Sequence, residues 1–279
     1  MANPVYPCLW YDNQAHEAAV FYCSVFQNSA ITAETPMVVC FELEGLKFMG
    51  LNGGPLFEFN QSVSFFVSCS SEKEVLYYWE KLCADGRVLI PLDRYDWSGK
   101  YGWCADKYGL TWQIYLNSTG TVSQKIVPLF LFSNLQYGNA EKAVNYYNSL
   151  FENSEIQGII RYGKDAPQPE GLVMHSQFTL NGRIFMAMDG PGDKHLDFNE
   201  AVSFVLECGT QNEIDFYWDS LTKEGREGMC GWCKDPFGVS WQIIPGQLRE
   251  LMANPSKAGK VTEAFLKMKK FDIETLMKI

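Results

Sequence analysis

GWCADKYGLTWQIY (Gly102–Tyr115) and GWCKDPFGVSWQII (Gly231–Ile244) are two versions of one phrase. Each holds an Asp-x-x-Gly turn, at Asp106–Gly109 and Asp235–Gly238. Each then runs into an apolar stretch carrying one glutamine, Gln113 or Gln242. The likeness extends upstream in the same order. AHEAAVFYCSVFQNSAI (15–31) returns as AEKAVNYYNSLFENSEI (140–156). FELEGLKFMGLNGGP from Phe41 returns as FTLNGRIFMAMDGP from Phe178, and FNQSVSFFVSC from Phe59 as FNEAVSFVLEC from Phe198. EVLYYWEKL from Glu74 returns as EIDFYWDSL from Glu213. Several motifs repeated in order mark a tandem duplication.

Each unit reads as a short strand (Cys8–Tyr11 or Leu129–Phe132) followed by a helix. Ala18, Tyr22 and Val25 share one face of that helix, as do Ala143, Tyr147 and Leu150. A hairpin with a turn at Glu44–Gly45 or Asn181–Gly182 comes next. A second strand, SVSFFVSC in the first unit, leads to a helix over about 71–84 with Val75, Tyr78, Trp79 and Leu82 on one face. The opening phrase supplies the last two strands. The pattern predicts an α+β protein of four strand–helix–strands modules, arranged as two homologous domains, 1–119 and 126–245, with a helical tail over 246–279. Extra residues near 87–100 in the first unit and 161–171 in the second are expected in surface loops. If helices cover one face of each sheet, the other face must cover something else or form a cavity.

The bulk numbers narrow the function. Apolar residues are 47% of the 279, aromatics 15%, and the net charge is −10. An acidic chain repels phosphate backbones, so nucleic acid is not an expected partner. MANPVYPCLW does not read as a secretory signal, and no apolar run is long enough to cross a bilayer. Nine cysteines without framework spacing read as reduced thiols in a cytoplasmic protein. The tail carries seven Lys/Arg against four Asp/Glu, which suits docking on the acidic body.

The quoted motifs, with PCLWYDNQAHEAAVFYCSVFQNS and LNGGPLFEFNQSVSFFVSC, resemble the PhnB-like branch of the vicinal-oxygen-chelate superfamily. This branch carries the name 3-demethylubiquinone-9 3-methyltransferase domain, and the superfamily includes glyoxalase I and bleomycin-resistance proteins. The resemblance implies paired βαβββ modules forming a cup around a small-molecule site. In metal-using relatives a glutamate ligand follows the Asp-x-x-Gly turn. Here Gln113 and Gln242 fall at that slot, and the first-strand slots hold Pro7 or Cys8 and Pro128 or Leu129. Amides are weak ligands, and His16, His175 and His195 have no ligand spacing, so no metal and no cofactor is expected. A Gly-rich turn for S-adenosylmethionine is also missing from the motifs.

Alternation in LTWQIY places Leu110, Trp112 and Ile114 on one face and Thr111, Gln113 and Tyr115 on the other. Gln113 and Gln242 therefore read either as hydrogen-bonded scaffold or as amides lining the cup. Asn52 and Asp189, before Gly-Pro turns, read as turn caps or as cup residues beside the glutamines. Trp10, Trp103 and Trp232 are candidates for its aromatic wall. Cys230 and Cys233 form one C-x-x-C without the second pair that zinc needs. The expected partner is a small organic molecule, with a homodimer left open. Binding without chemistry, metal-free catalysis, and methyl transfer to a quinone precursor or other small aromatic all remain open at this point.

Overall fold

A computed structural model describes residues 5–118, 122–191 and 196–279; His195 and the first four residues of MANPVYPCLW lie outside the described residues. The first module comprises β1 (Val5–Tyr11), α1 (Ala15–Val25), β2 (Ser29–Glu34), β3 (Val38–Leu43) and β4 (Leu46–Asn52). The second comprises β5 (Val63–Cys69), α2 (Glu72–Cys83), β6 (Arg87–Tyr95), β7 (Ser98–Ala105) and β8 (Thr111–Leu116). The third comprises β9 (Ile126–Phe132), α3 (Ala140–Leu150), β10 (Ile156–Arg161), β11 (Val173–Leu180) and β12 (Arg183–Asp189). The fourth comprises β13 (Val202–Cys208), α4 (Gln211–Thr222), β14 (Arg226–Glu227), β15 (Trp232–Lys234) and β16 (Ser240–Pro245). The α+β, four-module architecture read from the repeat is the observed one.

The sheets cut across the repeat. The first sheet has the order β14-β15-β16-β13-β1-β4-β3-β2 and so joins the first and fourth modules. The second has the order β10-β11-β12-β9-β5-β8-β7-β6 and joins the third and second. Antiparallel seams make these joins, with Cys8 opposite Ser203 and Ser64 opposite Leu129. Both eight-stranded sheets are thus completed within one chain. The repeat units 1–119 and 126–245 are tied internally through their helices instead. Tyr77 of α2 donates its hydroxyl proton to Val25 O of α1, and Tyr146 of α3 does the same to Ser220 O of α4.

One motif does most of this tying. Asp106 is 3% exposed and accepts four hydrogen bonds. Oδ1 takes the backbone N–H groups of Tyr108 (2.8 Å) and Leu110 (3.1 Å), which close the Asp-x-x-Gly turn around Gly109 at φ +89°. Oδ2 takes Tyr22 Oη from α1 and Trp112 Nε1 from β8, both at 2.8 Å. Asp235 repeats the arrangement with Phe237 N, Val239 N, Tyr147 Oη (2.6 Å) and Trp241 Nε1 (2.9 Å). Trp112 and Trp241 are fully buried, and Tyr22 and Tyr147 pack on them at 5.4 and 5.8 Å between ring centroids. A carboxylate at each turn therefore pins a helix of one sheet to the last strand of the other.

The extra residues near 87–100 are not a loop. They lengthen the β6–β7 hairpin, whereas the matching β14 has two residues. Cross-strand pairs from Arg87–Ala105 to Tyr95–Ser98, interrupted by three register shifts, make the added chain a continuation of the sheet. The 161–171 segment is a connection between β10 and β11, as expected. In the tail, α5 (Leu248–Ala253), α6 (Pro255–Phe265) and α7 (Ile273–Met277) follow β16. Lys270 bridges to Asp215 and Asp219 of α4, and the carbonyls of Met268 and Lys269 accept from Cys230 and Gly231. The basic tail docks on the acidic body. Cys233 faces the core while Cys230, at φ +57°, is half-exposed, so the two thiols do not share a site. No helix of the described residues is long and apolar enough to cross a membrane.

Burial pushes the Asp106 and Asp235 carboxyls up to about 6, against the pull of their four donors. A folded-state value above the unfolded one means the native protein holds these protons more tightly. Their contribution is fully present below the unfolded value near 4 and is lost as pH rises through about 6, with roughly 3 kcal/mol at stake per site. Urea unfolding from pH 4 to 7 should therefore show wild type losing stability relative to Asp106→Asn as pH rises. A pH-independent difference between the two proteins would contradict this assignment.

Candidate functional site

Each sheet has one face against the helices and one free of them. On the second sheet, Phe65, Val67, Trp112, Ile114, Phe130 and Phe185 belong to the helix-side core. Their strand neighbours Phe66, Trp103, Val127, Leu129, Leu131 and Met186 form a separate cluster on the opposite face. Leu129 is 1% exposed and Trp103 8%, although no helix lies over them. A flat sheet would leave such residues open to water, so the face curls around its own side chains. The lengthened β6–β7 hairpin adds Leu89, Ile90 and Tyr95 to the same cluster. Trp97 at its tip is 56% exposed, with its ring 4.5 Å from Tyr101 and 6.3 Å from Tyr115.

Gln113 sits on this face, as alternation predicts, but it is held. Its Oε1 accepts from Tyr101 Oη at 2.7 Å, and its Nε2 donates to Ser64 Oγ at 2.9 Å. Trp103, directly opposite Gln113 across the β7–β8 pair, has a buried Nε1 with no hydrogen-bond partner. A buried donor without a partner is uncommon, because it forfeits its hydration with nothing in return. His175 on β11 lies near Phe66, and burial holds its imidazole below the ordinary value. Burial likewise drives the Tyr101 hydroxyl well above the ordinary phenol range. At neutral pH these two groups are therefore uncharged.

The first sheet keeps the glutamine but changes its surroundings. Gln242 Nε2 donates to Ser203 Oγ at 3.0 Å, and Cys8 lies against both. Burial pushes the Cys8 thiol up to about 12 despite these neighbours, so it stays protonated and a poor nucleophile. Tyr6 Oη donates to Glu207 Oε1 at 2.5 Å. Lys47 Nζ also reaches that oxygen at 2.5 Å and lies 3.9 Å over the Tyr6 ring. Positions 6, 8 and 47 hold Val127, Leu129 and Ile184 in the third module. Tyr6, Lys47 and Glu207 thus satisfy one another on the first sheet, while the matching cluster on the second is aromatic and apolar and holds the orphan Trp103 donor.

Trp10 and Trp232 flank the first sheet's helix-free face, 6.0 Å apart, and Trp10 Nε1 donates to Gly54 O. Asn52 and Asp189 are not cup residues. Even positions of β4 face the helices: Asn52 Oδ1 accepts from Ala15 N at the start of α1, and its Nδ2 donates to Pro36 O. Asp189 accepts from Gly138 N, Ala140 N and Val173 N. They anchor helix starts, so the pairing with the glutamines read from sequence is corrected. The residues at the metal slots do not fit a metal, since Gln113 is engaged on both sides and Leu129 has no donor atom. Among the described residues, no group of three or more His, Cys, Asp or Glu side chains is placed to hold a metal ion.

The family model described as 3-demethylubiquinone-9 3-methyltransferase matches residues 3–115 and again 124–244. The chain belongs to this family. A PhnB protein of Bacillus cereus, described as a 3-demethylubiquinone-9 3-methyltransferase, is 33% identical over 40% of this chain and 98% of its own, with a TM-score of 0.38. Glyoxalase I from Zea mays is 10% identical and covers 91% of this chain and 97% of its own, with a TM-score of 0.58. At that identity the likeness shows the fold alone, which is that of glyoxalase I. A search of curated proteins gives no match. In this PhnB-like chain the sequence missed Tyr6, Lys47, Glu207 and the wall made by the long hairpin. The signal was present as departures between the repeats.

Gln113→Ala should lower stability by about 1–3 kcal/mol, because Tyr101 and Ser64 both lose a buried partner. Gln242→Ala, which frees one hydroxyl and a thiol, should cost less. Denaturant midpoints measure both; equal losses would remove the distinction drawn between the two faces.

Proposed function

We propose that this PhnB-like protein binds a small organic molecule on the helix-free face of the second sheet. The observation that carries this reading is the buried, unpartnered Nε1–H of Trp103 inside an aromatic, largely apolar wall. A ligand with a hydrogen-bond acceptor would satisfy that donor, and Tyr95, Tyr101, Trp97 and Met186 would enclose its body. Few polar groups in an apolar enclosure suit small-molecule recognition. Gln113 acts here as a positioning residue that fixes the Tyr101 hydroxyl. The remaining sequence candidates, Gln242, Trp10 and Trp232, line the first sheet, whose polar groups already pair internally.

Binding is favoured over acid–base catalysis because the polar side chains at the centre of the second sheet's helix-free face, Gln113, Tyr101 and Ser64, are engaged with one another. The carboxyls near 6, Asp106 and Asp235, are locked on the helix side. Methyl transfer rests on the family name alone. Nine free thiols support a reducing, cytoplasmic setting.

A thermal-shift panel of small aromatic metabolites, including quinone precursors and S-adenosylmethionine, should yield a ligand that raises the melting temperature by mass action. Trp103→Phe should then weaken that ligand about tenfold, the loss of one buried hydrogen bond. A ligand whose affinity ignores Trp103→Phe and falls with Gln242→Ala would move the site to the first sheet.

A further inference from the structure

A cleft of about 480 Å³ lies where the connections β4–β5 and β12–β13 meet, lined by Leu56, Phe57, Phe59, Gln61, Arg87 and Thr111 among others. Arg87 pairs across the strands with Ala105, and Ala105 with Thr111, so the cleft sits at the rim of the face that carries Gln113. The exposed Glu58 also lines it.

The duplication provides an internal comparison. Arg87, Gln61 and Ala105 correspond to Arg226, Glu200 and Lys234 in the second unit, and Arg226 pairs with Lys234 in the same register. There the Glu200 carboxylate lies 3.8 Å from Arg226 Nη2 and 3.1 Å from Lys234 Nζ. In the first unit the carboxylate has become an amide and the lysine a methyl group. Arg87 makes no ion pair among the described residues.

We propose that this cleft takes the carboxylate of a small organic acid, held against Arg87 where the second unit uses its own Glu200. A guanidinium matches a carboxylate with two parallel N–H donors, and Gln61 can add a neutral one. Leu56, Phe57 and Phe59 offer an apolar wall to the rest of the acid. The cleft adjoins the aromatic face but shares none of its named wall residues, so the proposal goes beyond the preceding reading and does not rest on it.

Benzoate and acetate titrated into the full chain, followed by backbone amide shifts, test it. Benzoate should bind more tightly than acetate and shift the signals of Arg87, Gln61 and Thr111. Arg87→Ala should weaken benzoate about tenfold. Gln61→Glu should do the same by supplying an internal carboxylate, with the melting temperature kept. Glu200→Gln should open a second benzoate site beside Arg226. Acetate and benzoate binding that depends on Arg87 but not on Trp103→Phe would support the cleft even if the aromatic face binds nothing. No binding of either acid, or affinities unchanged by both Arg87→Ala and Gln61→Glu, would overturn the proposal while leaving the Trp103 experiment to stand separately.

Discussion

The buried carboxylate of the Asp-x-x-Gly turn is the interaction on which the rest of the molecule depends. A charge removed from water is costly unless its hydrogen-bond sites are filled, and here two backbone amides, a tyrosine and a tryptophan fill them. Because Tyr22 lies on α1, in a module of the first sheet, and Trp112 on β8 of the second, satisfying Asp106 requires the two sheets to assemble on their helix sides. Tyr147, Asp235 and Trp241 impose the same condition on the other repeat. The two seams, β1 with β13 and β5 with β9, then complete both sheets. Loops across the pseudo-twofold are joined in the same reciprocal way, Asn60 Nδ2 to Asp197 O and Asn199 Nδ2 to Glu58 O.

With the helix side fixed, the helix-free faces are free to diverge. Both keep a glutamine–serine pair across the last and first strands of a module, at 2.9 and 3.0 Å. Around it, one face has gathered Tyr6, Lys47 and Glu207 into an internally neutralised set, and the other has gathered aromatic rings under a longer hairpin. Duplication allows this because one scaffold supports two faces, so one can be closed by its own charges while the other keeps an unmatched donor.

The strength of the sequence reading followed the physics of each feature. Modules, strand faces and the position of Gln113 were legible because alternation and helical periodicity are local. Ser71 before Glu72, which caps α2 through Glu74 N, shows how local chemistry marks a boundary. Which module pairs with which was not legible, since β1 meets β13 across most of the chain and either pairing buries the same residues. Of the two readings of Asn52 and Asp189 the capping one holds, and the cup one fails because a side chain at the end of a module's last strand can turn to cap the start of that module's own helix, 37 or 49 residues earlier. The departures between repeats, Gln61 for Glu200 and Ile184 for Lys47, were visible in the sequence, but their meaning needed the neighbours that only the fold brings together.

The central claim is that the second sheet's helix-free face receives the ligand and the first does not. Indole N–H signals resolve the question directly, because Trp103 marks one face and Trp10 and Trp232 mark the other. With 15N-labelled tryptophan and a ligand from the metabolite panel, the account predicts that the Trp103 indole proton moves downfield as it gains an acceptor, while those of Trp10 and Trp232 stay in place. Movement of Trp10 and Trp232 with Trp103 unchanged would contradict it.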